Sequence, residues 1–135
     1  MNKFKLMLIF GIFLLSNGFI YQKFYRPAEI APIKESNKPP VVVEMRSDEN
    51  KWHFNPDRVE VTAGDRVILK IYNEDSYDHG WATEALGINK RLFPKKETEI
   101  EFVASKIGEF PFYCSVPCGE GHYRQKGVLI VKPQD

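Results

Sequence analysis

The sequence predicts an all-β sandwich or barrel preceded by one apolar N-terminal helix. Three observations lead there. From Val41 onward, short alternating segments recur between turn residues. No segment in that region carries a helical period; Thr83 to Leu86 offers one turn at most. Ahead of it, Leu6 to Tyr21 (LMLIFGIFLLSNGFIY) is almost wholly apolar.

The apolar segment comes first. Lys3 and Lys5 precede it, and Lys23 and Arg26 follow. A helix from Phe4 to Tyr25, rising about 1.5 Å per residue, spans roughly 33 Å, enough for a bilayer core of about 30 Å. Tyr21, Phe24 and Tyr25 supply interfacial anchors. A cleaved signal peptide shares the basic start and apolar middle, but no Ala-x-Ala-like site follows, and no cysteine is present here to accept a lipid. Residues 1–25 therefore read as a single-pass anchor with the C-terminal domain on the extracytoplasmic, periplasmic side. If the segment is cleaved, the same domain is secreted or periplasmic. Residues 26–40 carry Pro27, Pro32, Pro39 and Pro40 and read as an extended spacer.

Residues 41–135 form the predicted domain. Val41 to Val43 opens it, and Lys51 to Phe54 continues or follows that strand. Asn55-Pro56-Asp57 turns the chain, Val59 to Val61 alternates, and Ala63-Gly64-Asp65 turns it again. Arg66 to Tyr72 places Val67, Leu69 and Ile71 on one face. Thr98 to Val103 does the same with Ile100 and Phe102. Gly108 to Tyr113 is a strand leading directly into Cys114, and Val128 to Val131 closes the domain. The texture indicates an antiparallel arrangement of short strands.

Lys and Arg number 19 against 18 Asp and Glu, interspersed along the chain, so nothing suggests nucleic acid as a partner. Both cysteines lie in Cys114-Ser115-Val116-Pro117-Cys118-Gly119-Glu120-Gly121-His122. A bridge across so short a loop would constrain little of the unfolded chain. Two thiols and an imidazole at this spacing can meet on one centre, and His79 offers a second imidazole from upstream. Thiolate with imidazole suits copper, zinc or iron rather than magnesium or calcium. A local disulfide, a structural Cys2His2 zinc and a mononuclear copper site are the competing readings. All the candidate ligands fall in predicted loops. His53 reads as a structural or surface residue, Trp52 as core, and Trp81 and Tyr123 as aromatic packing around the site.

Cys-Ser-x-x-Cys-Gly-x-Gly-His resembles the copper-binding loop of dinuclear copper A (CuA) domains, found in subunit II of haem-copper oxidases and in nitrous oxide reductase. The resemblance runs from about Phe54 to Lys132 and takes in the Pro56 turn, Ala63-Gly64-Asp65, Asn73-Glu74-Asp75, His79-Gly80 and the closing Gly127 to Val131. It implies a cupredoxin-like Greek-key β-sandwich holding two copper ions. Cys114 and Cys118 would be bridging thiolates, His79 and His122 terminal imidazoles, and the Val116 carbonyl a weak axial donor. The family has methionine three residues after the loop histidine, whereas this chain has Gln125, a harder donor expected to favour Cu(II) and lower the potential. Oxidase subunits often carry a carboxylate where this chain has Val116.

The resemblance implies an electron-transfer module, not a catalyst on its own: a subunit of a cytochrome c oxidase-like or reductase complex. Its redox partners would be a donor such as a cytochrome c or small copper protein, and an acceptor oxidase or reductase. A copper chaperone or delivery protein, a mononuclear copper carrier and a copper-responsive sensing domain are the alternatives.

Overall fold

The computed structural model describes residues 2–25 and 32–134. It falls into two units, residues 1–31 and 32–135.

In the first unit, helix α1 (Lys3–Ile20) starts at Asn2, whose side chain accepts the Phe4 N–H at 3.3 Å. A π-helical turn, Tyr21–Tyr25, extends it. The combined 23 residues, whose most apolar 18-residue stretch has a mean hydropathy of 1.8, are long and apolar enough to cross a membrane. Residues 26–31 of the proline-rich segment lie outside the described residues. Residues 32–40 form no regular element, yet they are tied to the domain. Ile33 packs on its core, and the Ser36 N–H donates to the Gly64 carbonyl at 2.8 Å.

The second unit is a sandwich of nine strands: β1 (Val41–Ser47), β2 (Phe54–Asn55), β3 (Arg58–Thr62), β4 (Arg66–Asn73), β5 (His79–Thr83), β6 (Ile88–Leu92), β7 (Glu97–Val103), β8 (Gly108–Tyr113) and β9 (Lys126–Lys132). One sheet runs β2-β1-β4-β7 and the other β3-β9-β8-β5-β6. Alternation aims one face of β1, β3 and β4 inward, while β9 is buried at three successive positions. Val67, Leu69 and Ile71 of β4 are buried, and so are Val59 and Val61 of β3 and Leu129 and Val131 of β9. Phe54, Trp81 and Phe112 fill the space between them, with Phe112 edge-on to Phe54 and 5.4 Å from the Trp81 ring. Each such side chain contributes roughly 1.5–3 kcal/mol of burial.

Three expectations need correction. The sheets are mixed, because β1 pairs with β4 and β3 with β9 in parallel. His79 does not sit in a loop; it opens β5, a strand buried at every position. Without alternation, His79-Gly80-Trp81-Ala82-Thr83 gives no period-two signal. The Lys51–Phe54 segment is mostly turn, with strand structure only from Phe54. The Thr83–Leu86 segment makes the single turn expected of it, a 3₁₀ turn at Glu84–Leu86.

Candidate metal centre

The loop from Cys114 to Gln125 joins β8 to β9. Tyr113 and Lys126 are the last paired residues of that ladder. One hydrogen bond beyond it, from the Cys114 N–H to the Gln125 carbonyl (2.9 Å), pins the two ends of the loop together. Inside, the His122 N–H donates to the Gly119 carbonyl (3.1 Å) and opens a 3₁₀ turn over His122–Arg124. The loop is therefore folded back on itself, which carries His122 to the cysteines.

Beta-strand β5 brings in the other imidazole. Its second residue is glycine because the ligand loop passes against it: a Cβ on Gly80 would lie 2.9 Å from the Ser115 nitrogen and 3.0 Å from that of Val116. That close approach lets the Gly80 N–H donate to Cys114 Sγ at 3.4 Å.

The donor atoms follow one another in contact. His79 Nδ1 lies 3.7 Å from Cys114 Sγ, which lies 3.4 Å from Cys118 Sγ, which lies 3.6 Å from His122 Nδ1. The sulfurs are unbonded, since a disulfide needs about 2.05 Å. Two oxygens lie against the thiols. The Val116 carbonyl is 3.2 Å from Cys114 Sγ, and Gln125 Oε1 is 3.5 Å from Cys118 Sγ. All six residues singled out in the sequence are thus brought together. His79, Cys114, Cys118 and Gln125 are buried, while His122 is half-buried. His53 lies elsewhere, exposed and paired with Asp48 at 3.1 Å.

Burial discourages charge on the thiols, and the surroundings decide which of them ionises. At Cys114 the desolvation penalty is outweighed by the hydrogen bond with His79, by contacts with the backbone of Gly80 and Val116, and by Cys118. Its pKa falls from 9.0 to about 6. Cys118 is pushed up to about 12 by burial and by its neighbour Cys114. The pair thus loses its protons in two well-separated steps. The His79 ring is raised despite burial, because Cys114 and Asp75 both favour its charged form.

Three supporting residues had no clear sequence signal. Asp75 is 1% exposed, and its Oδ2 is 2.7 Å from His79 Nε2. This fixes the proton on Nε2 and leaves Nδ1 free to face the thiols. The other oxygen of Asp75 accepts the Asn50 N–H at 2.8 Å. Trp52 is a brace: its Nε1–H donates to the Cys118 carbonyl at 2.8 Å, and its ring fills the space that a side chain on Gly121 would need. Ser47, wholly buried, accepts from Gln125 Nε2 at 2.8 Å. Only the position of Asp75, four residues before His79, could have drawn notice. Of the aromatic residues expected to pack around the site, Trp81 is buried in the core against Phe112, whereas Tyr123 is 89% exposed with its ring 5.0 Å from that of His122. Those two rings line a surface depression of about 520 Å³ with Asn89, Tyr113, Ser115 and Lys126.

Two thiols, two imidazole nitrogens and two neutral oxygens make a donor set suited to a soft or borderline metal, and copper fits it. Fold and site together define a metal-binding β-sandwich of the copper-protein class. The profile described as a cupredoxin-like domain matches residues 6–131, and the chain belongs to that family. It is 31% identical over 83 residues to the nitrous-oxide reductase of Stutzerimonas stutzeri. That match takes in 59% of this chain but 13% of the relative, so the chain spans only a small part of the relative's length. Among solved structures it is similar to the periplasmic domain of subunit II of the cytochrome oxidase of Bradyrhizobium japonicum, with a TM-score of 0.61 and 16% identity, covering 72% of this chain and 87% of that one. It is also similar to auracyanin A, a blue copper protein of Chloroflexus aurantiacus. There the TM-score is 0.59 and the identity 23%, over 70% of this chain and 100% of that one. At these identities the two structures speak for the fold.

Proposed function

We propose that this chain is an extracytoplasmic, membrane-tethered electron-transfer protein of the oxidase subunit II type, whose centre holds a CuA-like pair of copper ions. The observation that carries the reading is the order of the donors: nitrogen, sulfur, sulfur, nitrogen. A single tetrahedral ion needs its four donors close to one another. The ligand atoms of His79, Cys114 and Cys118 all lie within 4.8 Å of one another. His122 Nδ1 is 3.6 Å from Cys118 Sγ and lies outside that mutually close group. Two thiolates in the middle with one imidazole at each end suit two ions sharing both sulfurs.

Copper, when bound, supplies a one-electron couple. The chain's own part is to hold the donors still. With copper bound, Cys114 and Cys118 would supply charge and softness, His79 and His122 imidazole nitrogen, and the Val116 carbonyl and Gln125 amide oxygen weaker oxygen donors. Asp75 orients His79, Trp52 holds the Cys118 carbonyl, and the Cys114–Gln125 backbone bond closes the loop. A donor set braced this way relaxes little when its charge changes, which keeps electron transfer fast. His122 and Tyr123, at the surface depression, are where a redox partner would approach. That partner is a cytochrome c or small copper protein as donor, or an oxidase or reductase as acceptor. Helix α1 is the tether, with the domain on the periplasmic side; cleavage would release it there.

Copper stoichiometry tests the reading. The full chain in detergent should take up two copper ions per molecule and undergo reversible reduction by one electron. Uptake of one ion supports a mononuclear carrier instead, and ready surrender of Cu(I) to an acceptor supports a delivery role.

A further inference from the structure

Ser47, the last residue of β1, and Gln125 are both 0% exposed, although 78 positions separate them. Their side chains meet: Gln125 Nε2–H donates to Ser47 Oγ at 2.8 Å, while Oε1 of the same amide faces Cys118 Sγ at 3.5 Å. A glutamine amide has two chemically opposite ends, a pair of N–H donors and a lone-pair acceptor. Whichever end faces the thiols decides what the site receives, a donor atom for a cation or a hydrogen bond to a thiolate. A cation draws the oxygen inward. The nitrogen must then find an acceptor where water does not reach, because an unpaired buried donor destabilises that arrangement.

Ser47 is well placed to be that acceptor. Its backbone is held in register with Asn73 of β4, and its carbonyl accepts the Glu74 N–H at 3.0 Å. It is therefore fixed to the start of the turn that carries Asp75 and leads to His79. Beta-strand β1 supplies no donor atom of its own, yet its end reaches the sixth of them.

We propose that Ser47 is a positioning residue that holds the Gln125 amide with its oxygen toward the metal, so that Ser47 helps set the properties of the copper centre from outside its ligand shell. The effect on the centre rests on the copper reading above; the amide's orientation does not.

Two readouts on the full chain in detergent test this. In the metal-free chain with ¹⁵N-labelled glutamine, the Gln125 side-chain N–H groups should be protected from hydrogen exchange. Protection should fall by about tenfold or more in Ser47→Ala and persist in Ser47→Thr, which keeps the hydroxyl. In the copper-loaded chain, Ser47→Ala should shift the reduction potential and the electron spin resonance splitting in the same direction as Gln125→Leu. Ser47→Thr should stay at the wild-type values, and adding Ser47→Ala to Gln125→Leu should move neither quantity further. An unprotected Gln125 amide in the wild type overturns the proposal. So does a Ser47→Ala shift that persists undiminished beside Gln125→Leu. Intact protection in a chain that takes up no copper refutes the functional reading and the influence of Ser47 on the centre, and upholds the hydrogen bond alone.

Discussion

Replacing Asp75 by asparagine keeps the shape of the side chain but removes one hydrogen-bond acceptor and the buried negative charge beside His79. Both carboxylate oxygens are in use, Oδ2 by His79 Nε2 at 2.7 Å and Oδ1 by the Asn50 N–H at 2.8 Å. Asparagine keeps one oxygen and sets an NH₂ group against the other donor, so one of the two bonds is lost. The side chains of His79 and Asp75 are 0% and 1% exposed, so water does not replace it. A hydrogen bond to a charged partner is worth about 1.5–3 kcal/mol. Loss of the outer partner of a metal-ligating histidine costs about 10–100-fold in affinity, or roughly 1.4–2.7 kcal/mol. The two figures agree. In competition with a Cu(I) chelator under anaerobic conditions, Asp75→Asn should therefore bind about 10–100-fold more weakly, with its far-ultraviolet circular dichroism unchanged. Glu74→Gln is the control: its carboxylate pairs with Arg46 at 3.2 Å at the surface, worth about 0–1 kcal/mol, and accepts the Glu49 N–H at 3.3 Å, a bond that the glutamine oxygen can keep. An Asp75→Asn affinity within about twofold of wild type would refute the claim that Asp75 sets the ligating face of His79.

Three other outcomes follow from the same geometry. In the metal-free chain, ultraviolet thiolate absorbance should rise by one equivalent around pH 6, with the second thiol ionising only toward pH 12; both thiols titrating together near 9.0 would contradict the shared-proton arrangement. The folded pKa of Cys114 is depressed, so its contribution to stability is complete above pH 9.0 and is lost as pH falls through about 6. Cys118, raised, acts in the opposite sense and disfavours the folded state above pH 9.0. Gly80→Ala should lower stability by about 1–3 kcal/mol in denaturant unfolding and loosen copper binding, because the added carbon meets backbone atoms of the ligand loop; wild-type values for both would show that the loop can give way. Gln125→Met replaces amide oxygen by a softer thioether and should raise the reduction potential, whereas an unchanged potential would mean that Gln125 is not a ligand.

The ligand loop was readable in the sequence because its chemistry is local. Cys114, Cys118 and His122 recur at steps of four within a glycine-containing loop, and strands with clean alternation flank it. The same alternation marked β3, β4 and β7, and a short apolar run marked β9. Strands β5 and β6 gave no such sign. The first is buried on both faces and built from His79, Gly80, Trp81, Ala82 and Thr83. The second, Ile88–Leu92, is polar at Asn89, Lys90 and Arg91 on the sheet's edge. Parallel pairing of β1 with β4 is a tertiary fact with no local signature. Asp75 sits in Glu74-Asp75-Ser76, which reads as a solvated turn until its carboxylate is seen buried against His79. Ser47 and Trp52 act on residues 78 and 66 positions away, a distance over which composition and periodicity are silent.

The central claim is that Cys114 and Cys118 are shared between two copper ions. Electron spin resonance of the copper-loaded chain, one electron short of full reduction, tests it most directly. The predicted spectrum shows hyperfine splitting from one electron spread over two equivalent copper nuclei, and this signature is lost in both Cys114→Ser and Cys118→Ser. Splitting by a single copper nucleus in the wild-type chain would contradict it.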